Sequence, residues 1–168
     1  MVRDARPEDA AAIAGVHTRS WQVGYAHAFS ADALAGISAE RRREHIARWI
    51  GAHQPRSAFL VAASRGTVLG FASVGPSRDP DARSAGELYS IYVDPDHWGS
   101  GHGRALIAEA EARLRSAGFA EATLWVLGDN PRARRFYEAA GWTLDGAIKQ
   151  DTHLGTEVTE VRYRKRFR

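Results

Sequence analysis

Three glycines spaced two residues apart stand where a β-prone segment gives way to a helix-forming one. The stretch 91–107 reads "IYVDPDHWGSGHGRALI", and its glycines are Gly99, Gly101 and Gly103. Glycine leaves backbone amides open to a ligand, and the helix that follows turns its unpaired N–H groups and positive dipole end toward the same place. The spacing therefore predicts a loop that holds a phosphate group. A merely flexible turn is the alternative.

Two nucleotide-binding motifs fail on spacing in this stretch. A P-loop needs a Lys followed by Ser or Thr after its second glycine, and the stretch contains no Lys. The dinucleotide fingerprint G-x-G-x-x-G needs its third glycine where this sequence has Arg104. The predicted ligand is therefore a phosphate compound of another kind.

A second segment with chemical potential is "NPRARRFYEAAG", residues 130–141. It predicts a helix with Asn130 as N-cap, Pro131 at the first helical position and Gly141 as the stop. Tyr137 shares one face of this helix with apolar residues at helical spacing, so a plain core aromatic is one interpretation of it. In the other interpretation Tyr137 is a proton donor, because a hydroxyl with a reference pKa near 10 stays protonated at neutral pH.

The elements that must position these residues alternate irregularly between strand and helix. A hairpin is predicted from two apolar segments joined at Arg65 and Gly66, and "ELYSIYV" is predicted to alternate with Leu88, Ser90 and Tyr92 on one face. Such a mixture predicts an α+β fold built on a mixed sheet. The predicted strands are 1–5, 58–64, 67–75, 87–93, 121–127, 142–150 and 157–167, and the predicted helical regions are 6–21, about 31–50, about 103–117 and 130–140.

Composition limits the class of protein. The chain has 168 residues, 44% of them hydrophobic and 26% charged, which fits one domain over 1–168. It has no cysteine, which excludes disulfides, thiolate metal sites and a cysteine nucleophile. The net charge of +3 is compatible with an anionic ligand. No apolar run suggests a membrane span or a signal peptide, so we expect a cytoplasmic protein that binds no membrane.

Both chemical segments resemble the GNAT superfamily of acyl-CoA-dependent N-acyltransferases. "VDPDHWGSGHGRAL" is similar to the family's acetyl-CoA loop, (Gln/Arg)-x-x-Gly-x-(Gly/Ala), with Trp98 in place of the usual Gln or Arg. "NPRARRFYEAAGW" is similar to the family's Asn-x-x-Ala-x-x-(Phe/Leu)-Tyr-x-x-x-Gly-(Phe/Trp) segment. The order of elements agrees over about residues 57–168. The resemblance implies a central, mostly antiparallel twisted sheet of about six to seven strands flanked by about four helices.

The resemblance also implies a reaction: transfer of the acetyl group of acetyl-CoA to a primary amine of a small molecule or peptide by direct attack. The tyrosine that matches Tyr137 is the family's general acid, which protonates the departing thiolate. The implied cofactor positions act through strand and loop backbone, through Arg104 on the pyrophosphate, and through Asn130 beside the pantetheine. They are Ile91, Val93, Trp98, Gly99, Ser100, Gly101, His102, Gly103, Arg104, Asn130, Ala133 and Phe136.

Other candidate residues keep two interpretations each. Glu87 matches a position where several family members carry the carboxylate that deprotonates the amine, directly or through water, but it also suits a solvated strand end. Trp21 and Tyr25 either wall the acceptor pocket or belong to the core. The run Arg41–Arg43 is interpreted as a solvated helix face, with an acidic partner as the alternative. Since His97 and His102 lack metal-ligand spacing, no metal is expected.

Three classes of function compete at this level: an N-acetyltransferase, a non-catalytic acyl-CoA-binding regulatory module, and a basic nucleic-acid-binding domain. The presence of Tyr137 favours the enzyme over the regulatory module. The C-terminal "RYRKRFR" alternates like a half-exposed strand, which disfavours nucleic acid as a partner. The acceptor cannot be identified from the sequence, and both a monomer and a homodimer are compatible with it.

Overall fold

The computed structural model describes all of residues 1–168. Seven strands form one sheet in the order β1-β2-β3-β4-β5-β7-β6, and only β4 and β5 run parallel. The strands are β1 (Val2–Asp4), β2 (Ala58–Ser64), β3 (Thr67–Pro76), β4 (Gly86–Val93), β5 (Glu121–Leu127), β6 (Thr143–His153) and β7 (Thr156–Arg166). The helices are α1 (Ala10–Gly24), α2 (Ala31–Ala35), α3 (Ala39–Gly51), α4 (His102–Ser116) and α5 (Pro131–Ala139). The α+β mixed sheet predicted from the sequence is confirmed.

Helices cover both faces of the sheet. On one face, α1 and α3 bury Ile13 and Ile46 against Val61 and Phe71 of β2 and β3. On the opposite face, α4 and α5 pack on a larger cluster. That cluster includes Leu60, Ala72, Leu88, Leu106, Leu124, Tyr137, Trp142 and Tyr163. None of the helices is long and apolar enough to cross a lipid bilayer.

Local signals predicted several element boundaries correctly. The β2–β3 hairpin turns at Arg65 and Gly66, whose φ values of 49° and 81° are those of a type I′ turn. Asn130 caps α5, since its side-chain oxygen accepts the backbone N–H of Ala133 at 3.1 Å. Gly141, with φ of 84°, follows the last turn of that helix as predicted.

The N-terminal helices differ from the prediction. The single helical region expected over 31–50 is two helices, because the chain leaves α2 at Gly36 and Ser38 starts α3 by accepting the N–H of Arg41 at 3.2 Å. There are thus five α-helices instead of about four. The first helix begins at Ala10, after a 3-10 turn, and continues to Gly24, so Trp21 lies inside it.

A bulge in β4 overturns the predicted alternation of that strand. Pairing with β3 passes from Ser73 opposite Ser90 to Val74 opposite Leu88, which leaves Tyr89 as an extra residue. A bulge of this kind reverses which face the side chains take on either side of it. Leu88 therefore packs in the same cluster as Ile91 and Val93, whereas Tyr92 packs on the α1 side.

The parallel pair in the middle of the sheet is short. Only Gly86 with Ala122 and Glu87 with Thr123 are paired between β4 and β5. Beyond them β4 stays bonded to β3 and β5 stays bonded to β7. The sheet therefore opens in the middle, between residues 88–93 and residues 124–127.

Candidate active site

The opening between β4 and β5 has Tyr137 beside it. Tyr137 is 9% exposed and belongs to the cluster that holds Leu88 of β4 with Leu124 and Val126 of β5. Burial raises the pKa of Tyr137 well above its usual value, and no hydrogen bond to the hydroxyl offsets that effect. The phenol is therefore protonated at neutral pH, as a proton donor must be.

The glycine loop lies directly after β4 and leads into α4. Gly99 and Gly101 have φ of 81° and 87°, the left-handed region that favours glycine, and a Cβ on either would meet nothing within 4 Å. The first turn of α4 contains no acidic residue, and Gly101 as N-cap offers no side-chain acceptor. The unpaired amides and the positive dipole end of α4 thus face open space, and the exposed Arg104 lies beside them.

Gly103 has a different role from the other two glycines. A Cβ at this position would lie 3.2 Å from the ring of Phe136 and 3.7 Å from Val93. Its missing side chain lets α5 pack closely against the first turn of α4. The sequence interpretation of Gly103 as another opening toward the ligand therefore needs this correction.

Trp98 turns back onto the strand that precedes it. Its indole N–H donates to the carbonyl of Val93 at 2.8 Å, and the guanidinium of Arg132 lies 3.3 Å from the centre of its ring. Ser20 of α1 donates to the same carbonyl at 3.1 Å. The carbonyl of Val93 is one of the predicted backbone groups, and it thus already accepts two side-chain hydrogen bonds.

The remaining predicted cofactor positions line the same region. Ser100 donates to the carbonyl of His97 and so stabilises the loop. The ring of His102 lies 6.3 Å from that of His97. Ile91, Ala133 and Phe136 are partly buried against the main cluster. The structure therefore brings the positions from β4, the loop and α5 to one end of the opening.

An aromatic group on the α1 side completes the surroundings of Tyr137. The indole of Trp21 donates to the hydroxyl of Tyr92 at 3.2 Å, and its ring lies 4.6 Å from Tyr25. Burial raises the pKa of Tyr25 and that of Tyr92, and Tyr92 adds to the rise at Tyr137. Trp21 and Tyr25 are half-buried, packed on Phe29 and close to the catalytic candidate.

Glu87 is neither solvated nor free. Its side chain is 2% exposed, and its carboxylate accepts from the backbone N–H of Arg78 at 2.9 Å and from the guanidinium at 2.6 Å. The interpretation as a solvated strand-end residue is therefore wrong. Both oxygens are engaged by Arg78, so a direct approach of an amine to this carboxylate is obstructed.

A cavity of about 510 Å³ lies between the α1–α3 layer and the sheet. His17, Arg42, Arg78 and Ser90 are among its lining residues, and apolar rings from Trp49, Phe59 and Phe71 form part of its wall. Burial and the charge of Arg42 lower the pKa of His17 to about 3, so this imidazole is neutral. His17 also lies against Tyr92, with 4.8 Å between ring centres, which places the cavity beside the aromatic group.

A buried ion-pair network holds the β3–β4 loop in place. Arg162 is 5% exposed and bonds Asp79, Asp81 and Asp145 at 3.1, 2.7 and 2.7 Å. Asp79 also accepts from the indole of Trp125 at 2.9 Å. The loop so held carries Arg78 to the cavity. Sequence reasoning missed this network because its members are 17 to 83 residues apart.

The basic C-terminal strand is largely neutralised. Arg164 pairs with Glu121 and Asp145, and Lys165 pairs with Glu111. These cations line a surface cavity of about 600 Å³. Arg166, which is 87% exposed, and Arg168 line the same cavity, so part of the positive charge of this segment remains at the surface.

The β6–β7 hairpin gathers three groups that could ligate a metal. Ligand atoms of Asp151, His153 and Glu160 lie within 4.8 Å of one another. His153 lies 3.5 Å from both carboxylates, and Lys149 forms an ion pair with Glu160 at 3.3 Å.

Comparison with known proteins agrees with this geometry. The Acetyltransferase (GNAT) family pattern matches residues 17–142. The uncharacterized N-acetyltransferase YuaI of Bacillus subtilis is 35% identical over 138 residues, which cover 82% of this chain and 77% of YuaI. Mycothiol acetyltransferase of Nocardiopsis dassonvillei is 31% identical over 138 residues, or 79% of this chain, but the match spans only 41% of that longer protein.

The overall fold also matches that of a solved structure. The crystal structure of PaiA N-acetyltransferase from Thermoplasma acidophilum in complex with coenzyme A superposes with a TM-score of 0.79 at 24% identity, covering 99% of this chain and 98% of that one. The fold and the family pattern therefore coincide over most of the chain. This chain belongs to the GNAT family of acetyltransferases, enzymes that take acetyl-CoA as their acyl donor.

Proposed function

We propose that this enzyme acetylates a primary amine of a small molecule or peptide by direct attack on the thioester, with Tyr137 as general acid. The observation that carries the proposal is the opening between β4 and β5, which ends at the glycine loop and has a buried, protonated phenol beside it. Substrate-binding clefts in sheets are built where neighbouring strands separate.

The residues present fit acetyl-CoA. Gly99 and Gly101 leave space over unpaired amides at the start of α4, which suits a pyrophosphate. Arg104 supplies a cation beside those amides. The side-chain oxygen of Asn130 accepts the capping hydrogen bond of α5, which leaves the side-chain NH₂ group free to donate to the pantetheine end. Ile91 offers backbone groups from β4, and Trp98 shapes the loop through Val93 instead of contacting phosphate.

Bound acetyl-CoA supplies the activated acetyl group, and the protein supplies proton transfer and position. The hydroxyl of Tyr137 donates its proton to the leaving sulfur as the thioester bond breaks. Burial raises the pKa of this phenol, and it makes a thiolate at the same place more basic as well. Burial therefore raises the pKa of the proton donor and the pKa of the group that accepts the proton together.

The amine must lose a proton before or during attack. Because Arg78 occupies both oxygens of Glu87, we propose that Glu87 receives this proton through a water molecule. Trp21 and Tyr25 would then wall the side of the acceptor that faces Tyr92.

The experiment is a thiol-release screen of an amine panel with acetyl-CoA, coupled to mass analysis of the product. Calorimetric titration with acetyl-CoA alone is run beside it. Acetyl-CoA binding with an acetylated amine in the product supports the proposal. Tight acetyl-CoA binding with no thiol release from a broad panel of primary amines would indicate a non-catalytic acyl-CoA-binding module instead.

A further inference from the structure

The cavity beside β4 contains a cation without a counter-ion. Arg42 is partly buried, and its Nη1 has no hydrogen-bond partner although that atom is excluded from solvent. The guanidinium stacks over Trp21 at 5.3 Å from the ring centre. Burial lowers the pKa of Arg42, as expected for a charge removed from water without compensation. A buried, unpaired guanidinium in a binding site calls for an anionic ligand.

The cavity as a whole is positive. Three arginines line it, Arg41, Arg42 and Arg78, and no Asp or Glu does. The only carboxylate bonded to one of them is Glu87, which pairs with Arg78. Three cations less one carboxylate leave about two positive charges. The run Arg41–Arg43 is therefore not simply the solvated face predicted from the sequence, because Arg42 is half-buried and lines the cavity.

The neighbouring residues Arg42 and Arg43 of α3 differ in their exposure and in their ion pairing. Arg43 is exposed and pairs with Glu40 of the same helix, with 2.5 Å between Nη2 and the carboxylate. Arg42, one residue earlier, has no such partner and lies under α1. A solvated helix face needs no unpaired buried charge, so the position of Arg42 is not explained by folding alone.

We propose that the acceptor is a small amine that also carries an acid group, and that Arg42 with Arg41 binds that acid group in this cavity. This inference rests on the proposed acetyl transfer and names the class of its acceptor. The cavity of about 510 Å³ has room for a small-molecule acceptor. The rings of Trp49, Phe59 and Phe71 offer contact to a short apolar linker between the acid and the amine.

The cationic cavity also acts on the amine itself. A positive charge nearby disfavours an ammonium ion and favours the free amine that can attack. The acid group of the acceptor screens part of that charge, so both effects depend on how far apart the two groups of the ligand lie. A diamine would bring a second cation to this positive cavity, so amino acids and aminoalkyl sulfonates or phosphonates fit it better.

The test compares acids with their neutral isosteres. Glycine, β-alanine and taurine are assayed by thiol release against glycinamide, β-alaninamide and ethanolamine, in which an uncharged group replaces the acid. We expect at least one acid to exceed its neutral counterpart in kcat/KM by about tenfold or more, the usual effect of a charge-assisted hydrogen bond. Arg42→Gln should remove that preference, and Arg42→Lys should restore part of it. Arg43→Gln is the matched control and should keep it.

A binding measurement separates this inference from the proposed activity. Succinate and sulfate are titrated against the full chain while tryptophan fluorescence is followed, because Trp21 lies under Arg42. Saturable binding that Arg42→Gln abolishes and Arg43→Gln preserves supports the site even when no amine of the panel is acetylated. Acetylation of neutral amines at rates equal to the acids, unchanged by Arg42→Gln, would refute the acid site and leave the acetyltransferase intact.

Discussion

Tyr137 is the residue at which structure and chemistry are hardest to separate, because its ring is part of the core. Tyr163, whose ring centre lies 6.2 Å away, is also buried but has its hydroxyl bonded to Arg134 and Glu138. The phenol of Tyr137 has no such partner among the causes of its pKa shift. A hydroxyl without a protein partner is available to a ligand.

Tyr137→Phe should lower kcat by roughly 10²–10⁴, the usual contribution of a positioned proton donor, with acetyl-CoA affinity nearly unchanged. The loss should shrink with an acyl donor whose leaving thiol is more acidic. Thiol release under conditions where chemistry limits the rate measures both effects. Tyr163→Phe is the control and should lower the free energy of unfolding instead of kcat. A Tyr137→Phe enzyme with wild-type kcat would exclude Tyr137 from the reaction.

Glu87→Gln tests the water-mediated base. Turnover should fall mainly near neutral pH and recover in part at high pH, where the free amine is abundant. The pH–rate profile of kcat/KM measures this. Glu121→Gln serves as control, since the carboxylate of Glu121 pairs with Arg164 instead of Arg78. If the Glu87→Gln profile runs parallel to the wild type at full height, Glu87 only positions Arg78.

At the scale of elements, two glycines with left-handed backbone, Gly101 and Gly66, allow the effect of backbone strain to be distinguished from the effect of ligand access. Gly101 and Gly66 have φ of 87° and 81°, and a Cβ on either meets open space. A substitution at either position therefore costs about 1–2 kcal/mol of left-handed strain. Only Gly101 lies at the start of α4.

Gly101→Val should weaken acetyl-CoA binding strongly, because a branched side chain covers the amides that would hold the pyrophosphate. Calorimetric titration measures the affinity, and urea unfolding measures the strain. Gly66→Val should lose similar stability with no loss of affinity. Equal acetyl-CoA affinities in the two variants would remove the loop from the cofactor site.

How far the sequence predicts these elements depends on the range of the interactions. The type I′ turn at Arg65 and Gly66 and the cap at Asn130 were predictable because a few neighbouring residues determine them. The bulge at Tyr89 was not, since it is defined by the register of β4 against β3. The family motifs located the glycine loop and Tyr137. The placement of Arg42 needed the packing of α3 under α1, which no local pattern encodes.

At the scale of the whole molecule, His17 links stability to pH. Its pKa is about 3 in the folded protein against about 6.5 in the unfolded chain, so the unfolded state binds more protons between these values. Its contribution to stability is complete above pH 6.5 and is lost as the pH falls toward 3. Asp81, whose pKa Arg162 lowers to about 2, adds a second loss below about pH 3.8.

The free energy of unfolding should therefore fall from about pH 6.5 downward, with a slope that approaches about 1.4 kcal/mol per pH unit from His17 alone. Urea unfolding between pH 7 and pH 4.5 measures the slope. His17→Gln should flatten it by that amount, whereas His53→Gln, at an exposed position, should not. Identical slopes in wild type and His17→Gln would contradict the buried neutral imidazole.

The two residue pairs that join β4 to β5 have a further thermodynamic consequence. The hydrogen-bonded ladder is almost divided into two parts, β1 to β4 and β5 with β7 and β6, which are held together chiefly by side chains of the main cluster and by α4 and α5. A ligand seated between the parts contacts both. Its binding stabilises the intact molecule by RT ln(1 + [L]/Kd), about 2.7 kcal/mol at a hundred times Kd. An acyl donor bound in the proposed site would bridge the two parts, and the melting temperature of the enzyme should then rise with the donor concentration.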